Sequence, residues 1–490
     1  MSAPAMNNPL KRAALACLIM FGLLMLNVNY LQAVRADDLS KDSRNKRNFF
    51  ARYEVERGRI TAGNKVLAES VDTGDAEFRF QRRYPEGKIY APVTGFFAPE
   101  SAQDIEGAED DLLDGSSADL LIRRSIDLFS NKTTKGASVD LTINPKAQEA
   151  AYKALSASGK KGALVAIEPK TGAILAMVSL PTYDPNPLAK PDKGKVNEAY
   201  NKLAEDKDQP LVNRAIKRTY PPGSTFKVVT AAAYLESDDT LGPQTQVDAP
   251  TLLDLPNTTH DLPNSGGAAC GTGRVTLSYA LEKSCNTPFG KIALDLGYDA
   301  LKDQAAKFGI GGEPVEIPMK VVDSSIGPEE DAAALAQTSI GQRSNQMTPM
   351  QMAMIAAGIA NDGVVMKPYL VKKIADAEGT EIDGADPEEL TTAVSEDNAR
   401  KLKEMMVNVV SLGTASAAQI PGVTVGGKTG TAETAQGRAP HAWFISFAPA
   451  EDPKVAVALI VESGSAGDDA SGGRTAAPIA KSVMEAVLGR

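Results

Sequence analysis

One uncharged run constrains this chain more than any other feature. From Ala13 to Val34, 22 positions carry no charge, and only Asn27, Asn29 and Gln32 interrupt the apolar pattern. A helix needs about 20 residues at roughly 1.5 Å each to cross the hydrocarbon layer, so the run reads as a transmembrane helix. Lys11 and Arg12 precede it, and Asp37 and Asp38 follow. Cationic flanks stay in the cytoplasm. This makes residues 1–12 a cytoplasmic tail, 13–34 the single-pass anchor in the cell membrane, and the remainder extracytoplasmic. A cleaved signal peptide is the rival reading, because Val34-Arg35-Ala36 offers a small-residue site. Its apolar region would span only about 7–15 residues, however.

The 490 residues have room for two or three domains. With 52 Lys+Arg against 62 Asp+Glu the net charge is -10, which argues against a nucleic-acid partner, since phosphate neutralisation needs a basic balance. Two histidines and three cysteines are too few for a structural zinc site, so no metal or cofactor is expected. Catalysis would fall to Ser, Lys, Thr, Asp or Glu. Cys17 lies in the apolar run, leaving Cys270 and Cys285 as the exported pair. Outside the cytoplasm such a pair can oxidise. Bridging needs Cα atoms within about 7 Å, so disulfide and free thiols both stay open.

Residues 35–138 mix short apolar stretches with charge and read as a small α+β module, in which Ala102 to Asp119 is an acidic, solvated loop. From Val139 the texture changes. Leu141 to Ile143 is strand-like and Pro145 to Leu155 helical; Gly162 to Ile167 and Ala173 to Leu180 form a hairpin around the turn residues Glu168 to Gly172. Lys227 to Leu235, Leu277 to Glu282, Pro288 to Leu296 and Met350 to Ala360 show apolar helical faces. Strands at Trp443 to Ala448 and Val455 to Val461, a Gly/Ser/Asp-rich loop from Ser463 to Gly473, and a helix from Ala476 to Leu488 close the chain. Early and late strands around a helical middle imply an α+β fold whose sheet joins distant segments.

Three short motifs carry the chemistry. In Tyr220-Pro221-Pro222-Gly223-Ser224-Thr225-Phe226-Lys227 the prolines and glycine place Ser224 at the start of a buried helix, with Lys227 one turn later on the same face. A serine needs a base, and a lysine serves once burial lowers its pKa. Ser284-Cys285-Asn286 falls between two helices, offering a hydroxyl to relay a proton and an amide to hold a lysine and a substrate carbonyl. Gly427-Lys428-Thr429-Gly430-Thr431 precedes a strand and sets two hydroxyls beside a cation, which suits a carboxylate. The spacings alone are weak: Ser43/Lys46, Ser158/Lys161, Ser43-Arg44-Asn45 and Lys170-Thr171-Gly172 repeat them in settings that read as solvated loops or turns. His260 and His441 could build a Ser/His/Asp triad, but Lys227 already fills the base role. Asp184 and Asn186 read as a turn before proline.

Together, Ser-x-x-Lys, Ser-x-Asn and Lys-Thr-Gly, at intervals of 60 and 144 residues, form the signature of penicillin-binding proteins and class A β-lactamases. With Arg57-Gly58-Arg59-Ile60, Gly162 to Pro185, Thr338 to Gln342, Thr348 to Gln351 and His441-Ala442-Trp443, the chain resembles class B penicillin-binding proteins over nearly its full length. The resemblance implies a serine transpeptidase domain over 139–490, with a central antiparallel sheet flanked by helices, on a non-catalytic pedestal over 35–138.

It further implies that Ser224 attacks the penultimate D-alanine of a peptidoglycan stem peptide ending in D-Ala-D-Ala, with Lys227 as base and Ser284 as proton relay. Asn286 would position the acyl amide, Lys428, Thr429, Gly430 and Thr431 would bind the terminal carboxylate, and the N–H groups of Ser224 and Thr431 would form the oxyanion hole. β-Lactams would acylate the same serine. A SEDS-type glycan polymerase and other cell-wall or division proteins are the implied partners. A carboxypeptidase or β-lactamase, using water as acceptor, is the first rival, and a non-enzymatic scaffold or sensor the second. The middle residue of Ser-x-Asn is Cys285, and a bond to Cys270 would staple this loop to the active-site wall.

Overall fold

The computed structural model describes residues 7–35, 52–98, 101–117, 120, 135–433, 439–463 and 472–490. The loop expected from Ser463 to Gly473 and the decoys around Ser43 lie largely or wholly outside them. Two compact units result, one of residues 1–55 with 72–80, the other of 56–71 with 81–490. In the first, Asn7–Ala33 is one helix, and its segment Pro9–Ala33 is long and apolar enough to cross a membrane. Its large apolar side chains, such as Leu18, Phe21 and Leu24, are exposed, as a lipid-facing helix requires.

The larger unit is built on a five-stranded antiparallel sheet, in the order Gly426–Ala432, His441–Ala448, Val455–Val461, Gly162–Ile167, Ile174–Leu180. Segments almost 300 residues apart are thus neighbours, as the apolar pattern implied. Val455–Val461 is buried along its whole length because helices cover both faces. Pro145–Ala157 and Ala477–Val487 pack together on one side, and Pro349–Ala360 lies on the other. Asn144 starts the first of these helices, accepting the N–H groups of Lys146 and Ala147, with Pro145 at the first position where no N–H is missed. The preceding strand is Ser138–Leu141 rather than Leu141 to Ile143. Thr142 instead ties the chain to Leu370 and Ile174 through its backbone and hydroxyl.

The acidic stretch expected to be a solvated loop is a correction. Helices Asp104–Ala108 and Asp110–Leu113 form there, and Ile105, Glu106 and Leu113 are buried. The reason is charge pairing over long range. Glu106 accepts from Arg57 Nε at 2.7 Å, Arg82 Nε at 2.5 Å and the Tyr84 hydroxyl at 3.0 Å, while Arg57 also reaches Asp110 at 2.6 Å. Burial alone would raise the Glu106 carboxyl, and the two guanidiniums bring it below its usual range. A second sheet carries this region, running through Glu381–Gly384, Val371–Ala375, Ser138–Leu141, Ile60–Ala62 and Lys65–Asp72.

Candidate active site

Lys227 begins the helix Lys227–Ser237, and Ser224 sits in a tighter turn, Gly223–Phe226, that feeds it. The prolines explain the geometry: Pro221 and Pro222 have no N–H to give, and Tyr220 ends the preceding segment by pairing both ways with Met347. Gly223 has φ +55°, and a Cβ there would lie 2.5 Å from the Thr431 carbonyl. Only glycine lets the serine turn press against the end of Gly426–Ala432. Gly430 answers from the strand, where a Cβ would come within 2.8 Å of the Pro222 carbonyl. Trp443, one strand further in, donates its indole N–H to Pro221 O at 2.9 Å and locks the turn to the sheet.

Among the described residues Gly426–Ala432 is an edge strand of this sheet. Along it Lys428 points inward, Thr429 is mostly buried and Thr431 is exposed. Lys428 Nζ reaches Ser284 Oγ at 2.7 Å and Thr429 O at 2.9 Å. Lys227 Nζ donates to Ser284 O and Asn286 Oδ1, both at 2.7 Å, and lies 3.5 Å from Ser284 Oγ. The three motifs therefore meet at Ser284, whose own φ of +60° turns the loop. Ser224 is partly exposed, and its hydroxyl makes no hydrogen bond to the described residues.

Both lysines are 0% exposed, and among the described residues no carboxylate lies within ion-pair distance of either ammonium. Burial is the larger cause pulling Lys227 well below the ordinary lysine range, with the Lys428 charge adding to it. Burial likewise lowers Lys428, to about 7.

Cys270 and Cys285 are bonded to each other, with Cα atoms 6.0 Å apart, so the alternative left open by the sequence resolves to a disulfide. Its partner segment holds Asn286 in two further ways: Asn264 Oδ1 accepts the Asn286 N–H at 2.7 Å, and Pro263 O accepts Asn286 Nδ2 at 2.9 Å. Neither contact has a local signal, since both partners lie over 20 positions upstream. Thr414 was equally invisible; its hydroxyl meets that of Thr429 at 2.7 Å.

The remaining candidates are structural. Ser158 ends a helix and Lys161 pairs with Asp208 at the surface. Lys170 pairs with Asp452 beside the hairpin turn. His260 is exposed, and His441 accepts the Ser463 N–H and packs edge-on against Tyr220. Asn186 bonds both backbone groups of Tyr84.

A serine at the head of a buried helix, two buried lysines meeting at one loop serine and an adjoining edge strand make up the site. Residues 162–485 match the penicillin binding protein transpeptidase domain, and residues 57–139 the penicillin binding protein A dimerisation domain. The chain belongs to the penicillin-binding protein transpeptidase family. It is 46% identical to the peptidoglycan D,D-transpeptidase PbpA of Mycolicibacterium smegmatis and 44% identical to that of Mycobacterium tuberculosis, each over 99% of both chains. The structure of penicillin-binding protein A from M. tuberculosis as a ceftriaxone acyl-enzyme superposes with a TM-score of 0.86 at 44% identity, covering 90% of this chain and 100% of that one. The penicillin G acyl-enzyme of the same protein gives 0.84 at 45% identity, over 89% and 100%.

Proposed function

We propose that this chain is a peptidoglycan D,D-transpeptidase in which Ser224 carries the acyl group and Lys227 is the base. One observation carries the assignment of the base: Lys227 is buried between two acceptors, with no counter-ion among the described residues. A neutral amine has two hydrogens and one lone pair. Ser284 O and Asn286 Oδ1 are acceptors only and take the hydrogens, which leaves the lone pair free to receive a proton.

Ser224 Oγ attacks the carbonyl of the penultimate D-alanine while Lys227 takes the hydroxyl proton. Closing these two groups is part of substrate binding, because catalytic hydrogen bonds tighten in the complex. The developing oxyanion lies between the N–H groups of Ser224 and Thr431, where each such donor is worth about 10²–10³ in rate. Lys428, Thr429 and Thr431 hold the terminal carboxylate, and Gly430 lets the substrate backbone approach the strand. The carboxylate also restores a full charge to Lys428, whose pKa burial has lowered. Lys428 donates to Ser284 Oγ and Lys227 Nζ lies 3.5 Å from it, so the proton that Lys227 took from Ser224 passes to Ser284 as Ser284 gives its own to the departing D-alanine amine, and Lys227 is neutral again. The amine of a neighbouring stem then attacks the acyl-enzyme, giving its proton back through Lys227, and the cross-link forms with Ser224 regenerated. A β-lactam enters the first half of this sequence and stops there.

The apolar helix Pro9–Ala33 supports a single membrane anchor, with residues 35–138 as a pedestal and 139–490 as the extracytoplasmic catalytic domain. A SEDS-type glycan polymerase in the same membrane is the partner this arrangement suits. Penicillin labelling followed by intact-mass analysis and peptide mapping tests the reading. The expected result is one penicilloyl adduct on Ser224, absent in Ser224→Ala and lost over hours. A label on another residue overturns the assignment, and turnover within seconds makes the chain a hydrolase.

A further inference from the structure

Lys227 depends on Asn286 for one of its two acceptors, and the orientation of Asn286 is set from outside the three motifs. Its amide could point either way, but Pro263 O takes the Nδ2 hydrogen, which turns Oδ1 towards Lys227. The backbone of Asn286 is fixed by Asn264, whose Oδ1 accepts the N–H groups of both Asn286, at 2.7 Å, and Thr287, at 3.1 Å. Asn264 is only 6% exposed. Two N–H donors face one end of its side chain, so that end is the oxygen. Its Nδ2 is then buried without a partner among the described residues, a cost that buried amides rarely carry.

We propose that Asn264 is a positioning residue for acyl transfer, holding the Asn286 amide where it can present its oxygen to Lys227. This rests on the reading of Lys227 as the base. The competing role is that of a cap, because Thr287–Leu296 is a helix and Asn264 satisfies its first N–H groups. A cap changes stability alone; a positioning residue also changes how Lys227 titrates.

Few charges bear on that titration. From the Lys-Thr-Gly strand Lys428 faces Lys227. The helix Thr287–Leu296 presents the Phe289 ring, 5.8 Å from Nζ, while its Lys291 and Asp295 pair with each other. On the hairpin carrying Asn264, Asp254, His260 and Asp261 are all exposed.

The experiment measures the second-order rate constant for labelling of the full-length protein by a fluorescent penicillin, from pH 5 to 10, in wild type, Asn264→Ala and Asn264→Asp. In the alanine variant the plateau falls at least tenfold, and the acid limb moves to lower pH because the ammonium has lost an acceptor. In the aspartate variant two acceptors remain and a negative charge is added, so most of the plateau returns and the acid limb moves to higher pH. Wild-type behaviour in Asn264→Ala overturns the proposal, as does an acid limb that stays in place in both variants. Should the alanine variant fail to fold, the aspartate limb decides alone. Labelling of Ser224→Ala at the wild-type rate would overturn the catalytic reading instead, whatever Asn264 does.

Discussion

Two clusters in this molecule bury a pair of cations, and they settle the cost in opposite ways. Arg57 and Arg82 share the carboxylate of Glu106, with Asp110 and the Tyr84 hydroxyl completing the set. Lys227 and Lys428 meet at Ser284, and among the described residues their acceptors, Ser284, Asn286 and Thr429, are all neutral. Desolvating a charge is expensive, and a counter-ion offsets it. Without one the charge itself yields: both lysines are pulled down, whereas Glu106 is held ionised. The first cluster therefore keeps its protons fixed and fastens local structure, and the second holds amines that can exchange them.

Removing the central member of each cluster should separate the two most widely. Lys227→Met replaces an unpaired amine with an apolar chain of similar length, so penicillin acylation should fall about 10²–10⁴-fold while the unfolding midpoint holds or rises. Glu106→Gln leaves two guanidiniums short of their charge partner and should destabilise by about 3–5 kcal/mol. The fraction that remains folded should still acylate normally. Denaturation curves and labelling rates on both variants check this. A Lys227→Met protein destabilised as much as Glu106→Gln would erase the distinction.

The pH dependence of stability should sharpen it. Lys428 falls from 10.5 in the unfolded chain to about 7 in the folded one, so between those values the unfolded state binds more protons and stability rises with pH. Glu106 starts from 4.5 and is lowered, so its contribution is present above that value and is lost on acidification through its folded-state range. Lys428→Met should remove this lysine's share of the rise above pH 7, leaving the share of Lys227 and the acid loss in place, whereas Glu106→Gln should keep the rise and remove the acid loss. A Lys428→Met difference that is flat between pH 7 and 10 would show that this lysine is not held partly neutral.

The contrast also marks what could be read from the chain alone. Ser224 and Lys227 were legible together because prolines, a glycine and one helical turn fix them locally, and Lys428 to Thr431 because a short strand does the same. Their convergence on Ser284 was suggested by the order of the motifs and not by any single residue. Glu106 was misread as solvated because its neutralising arginines lie 49 and 24 positions away, beyond any local pattern. Pro263 ends the short strand Asp261–Pro263 and Asn264 follows it, and neither stands out until the fold brings them to Asn286. Cysteine count allowed the disulfide, but only the 6.0 Å separation selects it.

The smallest expected effect lies where the lysine pair meets solvent. Thr414 is exposed, Thr429 is nearly buried, and their hydroxyls are 2.7 Å apart. A hydroxyl has one proton to give, so if Thr414 donates to Thr429, the Thr429 proton is left for the substrate carboxylate and the two bonds reinforce one another. Thr414→Val keeps the shape and removes the donor. The loss should be about 1 kcal/mol, several-fold in the acylation rate for a penicillin with a free carboxylate. Thr414→Ser should restore it, and the methyl ester of the same penicillin, which lacks the anion, should react equally with all three proteins. Equal slowing of acid and ester in Thr414→Val would mean that Thr414 supports the strand and not the anion, placing it with Glu106 on the structural side of the comparison.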